Sequence, residues 1–198
     1  MGNSKGKGNR GERRIVQILN ERFKTDKFAR VPNSGAFGTT HKGRLSTEAM
    51  RTLSGDLIVP SPDWVFSIEV KTGYDIDLIS LFSDKSNNDK KDMGDFCAQS
   101  CTDASRTPGS IPMVIYTKDR REPLVALPIK NHIRQDNLLD VFNRPDKNLF
   151  FFTPFSEKFN TEFSQWKEWV VLSLNILLQE PDGFFFEKGQ EDGPKTIC

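Results

Sequence analysis

The chain has 198 residues, 36% hydrophobic and 28% charged, with a net charge of +1, which suits one globular unit large enough to bury a core. No stretch approaches the roughly 18 apolar residues of a membrane span, and the polar, basic Met1–Arg10 segment lacks the apolar centre of a secretory signal. Three cysteines (Cys97, Cys101, Cys198) and two histidines exclude a disulfide scaffold and a credible zinc set, and point to a reduced, cytoplasmic protein.

The small net charge hides an asymmetry. Residues 1–55 hold 12 Lys/Arg against 4 Asp/Glu, whereas the rest holds 16 against 23. A basic first quarter suits the approach of a polyanion, and it equally suits a solvated basic surface.

Residues 1–8 are rich in Gly, Lys, Ser and Asn and read as a mobile start. From Asn9 to Phe23 the spacing of Ile15, Ile18, Leu19 and Phe23 predicts an amphipathic helix. Extending its apolar stripe back one turn reaches Glu12, a carboxylate on the inward edge that needs a partner or a metal. The plainer alternative is a first-turn glutamate favoured by the helix dipole. Arg13 lies just off the stripe. Phe28–Pro32 reads as a short strand ended by the Asn33-Ser-Gly-Ala36 turn. Residues 37–54 form a polar insertion with a short helix expected at 47–53. Its His41, Lys42, Arg44 and Arg51 make either a substrate-contacting loop or a surface excursion.

Residues 54–72 carry the chemistry. Two short apolar arms flank the Pro60-Ser-Pro-Asp63 turn, and the second arm alternates Phe66, Ile68, Val70 against Ser67, Glu69, Lys71. An antiparallel hairpin with its tip between Pro62 and Asp63 sets Asp56 opposite Glu69, with Lys71 on the Glu69 face. Beyond it we expect a helix over 95–105, a buried strand over 112–117, a turn at 119–122, a strand over 124–127 and a helix over 129–142. That order describes an α/β core with a mixed sheet. In the tail, 148–153 reads as a strand. Residues 163–178 fit either a strand followed by a short helix or one long helix, and Phe184–Phe186 fits a final strand or a docking segment. The aromatic density of the tail means core in its simplest reading and a dimer seam in a sharper one.

Hydrolysis of a phosphodiester needs an activated water, neutralised phosphate charge and a stabilised leaving oxygen. Mg²⁺, with Mn²⁺ as substitute, supplies these when held by one or two carboxylates. Asp56 and Glu69 are the candidate ligands, with the Val70 backbone carbonyl completing the set. Lys71 is the candidate catalytic cation, Glu12 a candidate for the same pocket, and Arg13 and Arg30 candidate phosphate clamps. Glu-x-Lys alone is weak, because exposed strands often carry such a salt bridge. The Gly-Asp…Glu-Val-Lys arrangement is stronger.

Asp56…Glu69-Val-Lys71 preceded by Glu12 on a helix resembles the PD-(D/E)xK nuclease superfamily. Within it, Gly11-Glu-Arg-Arg-Ile-Val-Gln-Ile-Leu19 followed by Ala29-Arg-Val-Pro-Asn-Ser-Gly35 is similar to archaeal-type Holliday junction resolvases and their phage-encoded relatives. The likeness covers residues 8–72, extends loosely over 95–127, where Gln99 falls on the family's following helix, and stops there. It implies a restriction-endonuclease-like core over 1–130, with a mixed β-sheet flanked by helices. A C-terminal extension over 131–198 then packs on that core and is a candidate dimerisation element. It also implies a metal-dependent endodeoxyribonuclease that cuts branched DNA as a homodimer. Asp56 and Glu69 then bind metal, Lys71 is catalytic, and Glu12, Arg13, Arg30, Ser34 and Gln99 support them. The alternatives are a restriction-type, nicking or single-strand-acting nuclease of the same superfamily, and a non-catalytic DNA-binding protein on the same fold. The insertion before Gly55 and the long tail depart from the resolvase pattern.

Overall fold

The computed structural model describes residues 4–32, 45–53, 55–74, 93–129, 149–154 and 157–186. Its central feature is a five-stranded mixed sheet in the order β3-β4-β5-β7-β6. The strands are β3 (Phe66–Thr72), β4 (Ile111–Thr117), β5 (Leu124–Pro128), β6 (Phe150–Phe152) and β7 (Trp169–Ser173). β3 and β4 run parallel in register from Phe66↔Ile111 to Thr72↔Thr117. All other neighbours in this sheet are antiparallel.

The period-2 alternation of strand side chains divides the core into two layers. On one side, Ile68, Val70, Met113, Ile115, Val125, Leu127, Val170 and Leu172 pack with Ile15 and Leu19 of α1 (Ser4–Phe23). On the other, Val114, Ala126, Trp169 and Val171 pack with Phe96, Cys97 and Cys101 of a second helix. That second long helix spans Met93–Ala104 and connects β3 to β4. We number it α3, because the short helix α2 (Thr47–Thr52), capped by the Ser46 hydroxyl accepting from the Ala49 amide, precedes it. The result is the α/β architecture expected, a mixed sheet between helical layers.

β6 and β7 bring residues from after position 130 into the same sheet, β7 lying between β5 and β6. Strand β7 is followed directly by a short helix, α5 (Leu174–Leu177), after the one-turn α4 (Glu157–Asn160). The segment is thus a strand followed by a short helix, and one long helix does not form. The tail aromatics are core: Phe159, Phe163, Trp166, Trp169, Phe184 and Phe185 are all at most 6% exposed. Phe184–Phe186 closes a 3₁₀ turn and docks on Trp64, with Phe185 stacked at 5.5 Å and Phe186 edge-on at 5.3 Å.

Helix α1 starts earlier than its apolar stripe suggested. Gly6, Gly8 and Gly11 argue against helix by propensity, but tertiary contacts override it. A Cβ at Gly11 would lie 1.8 Å from Thr72 Oγ1 and 2.9 Å from Thr72 Cβ, so the missing side chain is what lets α1 lie against the carboxyl end of β3. Gly11→Ala would gain about 1 kcal/mol in an exposed helix. Here it is expected to destabilise the protein by about 1–3 kcal/mol, measured by thermal unfolding. The helix expected over 129–142 falls mostly on residues outside those described. Among the described residues, no helix is long and apolar enough to cross a membrane.

Candidate active site

The hairpin expected over 54–72 forms differently. Strand β2 (Leu57–Ile58) pairs antiparallel with β1 (Ala29–Arg30), not with β3, and the Val31 amide donates to the Asp56 carbonyl at 2.9 Å. Asp56 is therefore not laddered opposite Glu69. Gly55, at φ +85°, turns the chain so that it meets β3 through a parallel bridge to Ile68. The Asp56 amide then donates to the Ile68 carbonyl at 2.8 Å, and its carboxylate accepts the Val70 amide at 2.8 Å. The expected pair of carboxylates still meets, by another backbone route.

β3 is an edge strand of the main sheet, and Asp56 sits along its open side. The Val70 amide points out to Asp56, away from β4. A strand residue sends its N–H and C=O to the same side, so the Val70 carbonyl faces the same edge. Ile68 and Val70 belong to the α1 layer of the core, so Glu69 and Lys71 emerge on the α3 side. There Gln99 of α3 joins them. Its Nε2 donates to Glu69 Oε1 at 2.8 Å and its Oε1 accepts from Lys71 Nζ at 2.9 Å. Lys71 Nζ also donates to Glu69 Oε1 and lies 5.3 Å from the centroid of the Phe96 ring. Gln99 thus fixes both charged groups at once.

Glu69 is 5% exposed. Burial, and then the Asp56 carboxylate, push its acid up to about 7 against the pull of Lys71. Asp103, one helical turn after Gln99 on the same side of α3, adds to this field. Its own carboxyl is raised by burial, then lowered by Arg106, raised by Asp56 and lowered by Lys71, and it accepts from Arg106 Nη1 at 2.6 Å. Acids this close to one another and this dry are ionised cheaply only next to a cation. Among the described residues no three His, Cys, Asp or Glu side chains converge on one metal position. Asp56, Glu69 and the Val70 carbonyl are the candidate donors, and two carboxylates with one backbone carbonyl would suit a divalent ion that keeps several waters.

A pH dependence follows. In the unfolded chain Glu69 has its ordinary acid strength, near 4.5, whereas the folded protein holds its proton up to about 7. The stability this confers is fully present below 4.5 and is lost as pH rises through 7. Thermal unfolding in EDTA is expected to show a loss on the order of 3 kcal/mol between pH 5 and 8.5, relieved by a saturating divalent cation. A flat metal-free profile would contradict the burial of Glu69 as an acid.

The other candidates distribute unevenly. Glu12, 9% exposed, finds the partner its position demanded in Arg30, whose Nε donates to Glu12 Oε2 and whose Nη2 donates to Asn9 at 2.7 Å. This pair lies under α1, on the opposite side of β3 from Glu69, so Arg30 is turned inward on a carboxylate. Arg13 is exposed and lines an open groove along α1 with Gln17, Asn20 and Lys24. Arg51, in the basic insertion, donates to the Pro108 carbonyl at 3.1 Å and ties α2 to the body. Ser34, Lys42 and Arg44 lie outside the described residues. Cys97 and Cys101 are fully buried free thiols, and burial pushes the Cys101 thiol up.

Sequence reasoning missed Asp103, although its spacing from Gln99 is a usable helical signal. It also missed Arg10 and Lys118, which with Thr72, Gly73 and Asp119 line a cavity of about 160 Å³ at the carboxyl end of β3. Arg14 fixes that end by donating to Thr117 Oγ1 at 3.2 Å and to the Arg121 carbonyl at 2.9 Å. Only the folded register of β3 with β4 brings these cations together.

A family model described as "Phage putative PDDEXK endonuclease" matches residues 3–180. That span includes β6 and β7, which the resemblance read from the sequence did not reach. Protein D14 of Escherichia phage T5 is 32% identical over 154 residues, covering 74% of this chain and 86% of that protein. No solved structure gives a significant match. With a family model spanning every strand of its sheet and most of both layers of its core, the chain belongs to the phage PDDEXK endonuclease family.

Proposed function

We propose that this chain is a divalent-metal-dependent endodeoxyribonuclease acting on branched DNA. One observation carries the catalytic reading: the buried Glu69 shared by Lys71 and Gln99, with the Asp56 carboxylate beside it. Asp56, Glu69 and the Val70 carbonyl would hold Mg²⁺, or Mn²⁺ in its place. Bound there, such an ion neutralises charge on the scissile phosphate and makes water nucleophilic at neutral pH. The Lys71 ammonium, fixed by Glu69 and Gln99, stabilises negative charge that develops on the phosphate. Gln99 keeps the Lys71 and Glu69 side chains from rotating away when substrate arrives. Asp103 holds the field around Lys71 negative, and Glu12 with Arg30 braces α1 against the β1–β2 unit.

Arg10 and Lys118 supply cations for backbone phosphates at the carboxyl end of β3, with Arg13 further along α1. Branched DNA is favoured by the likeness of the sequence runs Gly11–Leu19 and Ala29–Gly35 to junction-cutting enzymes. Paired cuts across a junction call for a homodimer, and the protein acts in the cytoplasm of the infected host.

The test is a panel of four-way junction, fork, flap, linear duplex and single strand, each with Mg²⁺, Mn²⁺ or EDTA. Metal-dependent cutting of the branched substrates is expected, and silence on all substrates in both metals overturns the enzyme reading. Equal cutting of linear duplex removes the branched preference and leaves the nuclease. Sedimentation at micromolar concentration reads the dimer directly, and a monomer there contradicts paired cutting.

A further inference from the structure

Among the described residues two large hydrophobic side chains are well exposed, Tyr74 at 42% and Phe151 at 50%. Phe151 is on β6, the far edge of the sheet. Tyr74 is three residues past Lys71, at the end of the strand that carries the candidate catalytic groups. A single exposed aromatic is ordinary on a protein surface. What distinguishes Tyr74 is how it is held. Its ring meets the Phe96 ring edge-on, with centroids 4.9 Å apart and planes at 62°. Phe96 is 1% exposed and cannot shift. The backbone is pinned as well, because the Tyr116 hydroxyl donates to the Tyr74 carbonyl.

The same Phe96 ring carries Lys71 Nζ at 5.3 Å from its centroid. With the tyrosine centroid 4.9 Å and the ammonium 5.3 Å from the centroid of that ring, the two are at most about 10 Å apart. A rigid aromatic surface open to water therefore stands within a few nucleotide rises, each about 3.4 Å, of the cation proposed to face the scissile phosphate. Every nucleobase has a π-face that can stack on such a ring, at about 1–3 kcal/mol per base. A base inside a duplex has both faces already stacked and cannot use it without being extruded.

We propose that Tyr74 is a stacking platform for an unpaired base next to the scissile phosphate. This rests on the nuclease reading of the same site and deepens it. The substrate class becomes DNA with an unpaired or splayed nucleotide at the cut, as at a flap, a fork or a junction centre. Lys71 engages the phosphate while Tyr74 holds the neighbouring base, so base pairing at the cut opposes productive binding.

Two measurements separate this from a merely structural tyrosine. The first compares kcat/KM on one sequence presented as perfect duplex and with an unpaired nucleotide at the cut site. The ratio of unpaired to paired is expected to fall on the order of 10- to 100-fold in Tyr74→Ala and to persist in Tyr74→Phe, which keeps the ring. An unchanged ratio in Tyr74→Ala, including equal loss on both substrates, overturns the proposal. The second uses 2-aminopurine single strands bound to Asp56→Asn protein, which needs no cleavage. Quenching that is lost in Tyr74→Ala and kept in Tyr74→Phe supports the platform, and identical quenching in all three overturns it. If wild-type protein cuts nothing yet the quenching depends on Tyr74, the nuclease reading fails, and with it the placement beside a scissile phosphate, while Tyr74 stands as a base-stacking contact. If cutting is normal and indifferent to Tyr74, the platform fails and the nuclease stands.

Discussion

Gly55→Ala is expected to lower stability by about 3 kcal/mol or more and to abolish cleavage. Gly55 has φ +85°, and a Cβ there would lie 2.3 Å from the Ile68 carbonyl oxygen and 2.9 Å from its carbon. The left-handed conformation alone costs an alanine about 1–2 kcal/mol. The atoms in the way are backbone of β3, which cannot rotate aside as a side chain can. Relief requires the 55–56 segment to move off β3. That movement breaks both hydrogen bonds that seat Asp56, the amide to Ile68 and the carboxylate to the Val70 amide, each 2.8 Å. Urea unfolding and single-turnover cleavage read the two consequences separately. A folded Gly55→Ala protein with unchanged cleavage would contradict the seating of Asp56 described above.

Lys71→Ala is expected to reduce the cleavage rate by about 10²–10³-fold or more, with DNA affinity largely kept. The lysine side chain is only 12% exposed and is held between Glu69, Gln99 and the Phe96 ring. It is a fixed charge aimed at one place, and a mobile surface cation would act differently. Lys71→Arg is not expected to rescue, because a planar guanidinium does not fill the position of a compact ammonium packed on a ring. Single-turnover rates with saturating enzyme, set beside filter binding, make the distinction. Loss of binding with the rate at saturation unchanged would make Lys71 a DNA contact and leave it no part in the chemical step.

That Asp56, Glu69, Lys71 and Gln99 come together was more legible in the sequence than the backbone route that assembles them. Alternation along Phe66–Lys71 sorted that strand's two faces correctly, because one face packs on the apolar side of α1 and the other meets the polar Gln99 side of α3, and side-chain period is a local property. Strand pairing is not local. Counting residues from the Pro60–Asp63 turn predicted a β2–β3 ladder, whereas β2 pairs with β1 and Gly55 turns back onto Ile68 through its positive φ. Nothing in the run Ser54–Asp56 announces that conformation beyond the glycine itself. Glu12 shows the same limit. Its position on the inward edge of α1 showed that it needed a partner, and only the fold identifies Arg30, 18 residues away, as that partner.

The tail shows a different effect. The run 163–178 was undecided between a strand followed by a short helix and one long helix because both bury it. Pairing of β7 with β5 and β6 settled it, and no signal inside the segment reports those partners. Asp103, Arg10, Lys118 and Tyr74 were passed over because each is unremarkable beside its sequence neighbours. Arg10, Lys118 and Tyr74 acquire meaning at the carboxyl end of β3, and Asp103 one helical turn beyond Gln99 in the field of Glu69.

The most direct test of the proposed metal centre is Mn²⁺ binding, followed by the electron paramagnetic resonance of the free ion, in wild-type, Asp56→Asn and Glu69→Gln proteins without DNA. Wild type is expected to bind Mn²⁺ with an affinity that rises with pH up to about 7, because the buried Glu69 must give up its proton to the ion. Each substitution removes a ligand and is expected to weaken that binding at least 10-fold. Equal Mn²⁺ binding in all three proteins, or wild-type binding indifferent to pH between 5.5 and 8, would contradict a metal centre built on Asp56 and Glu69.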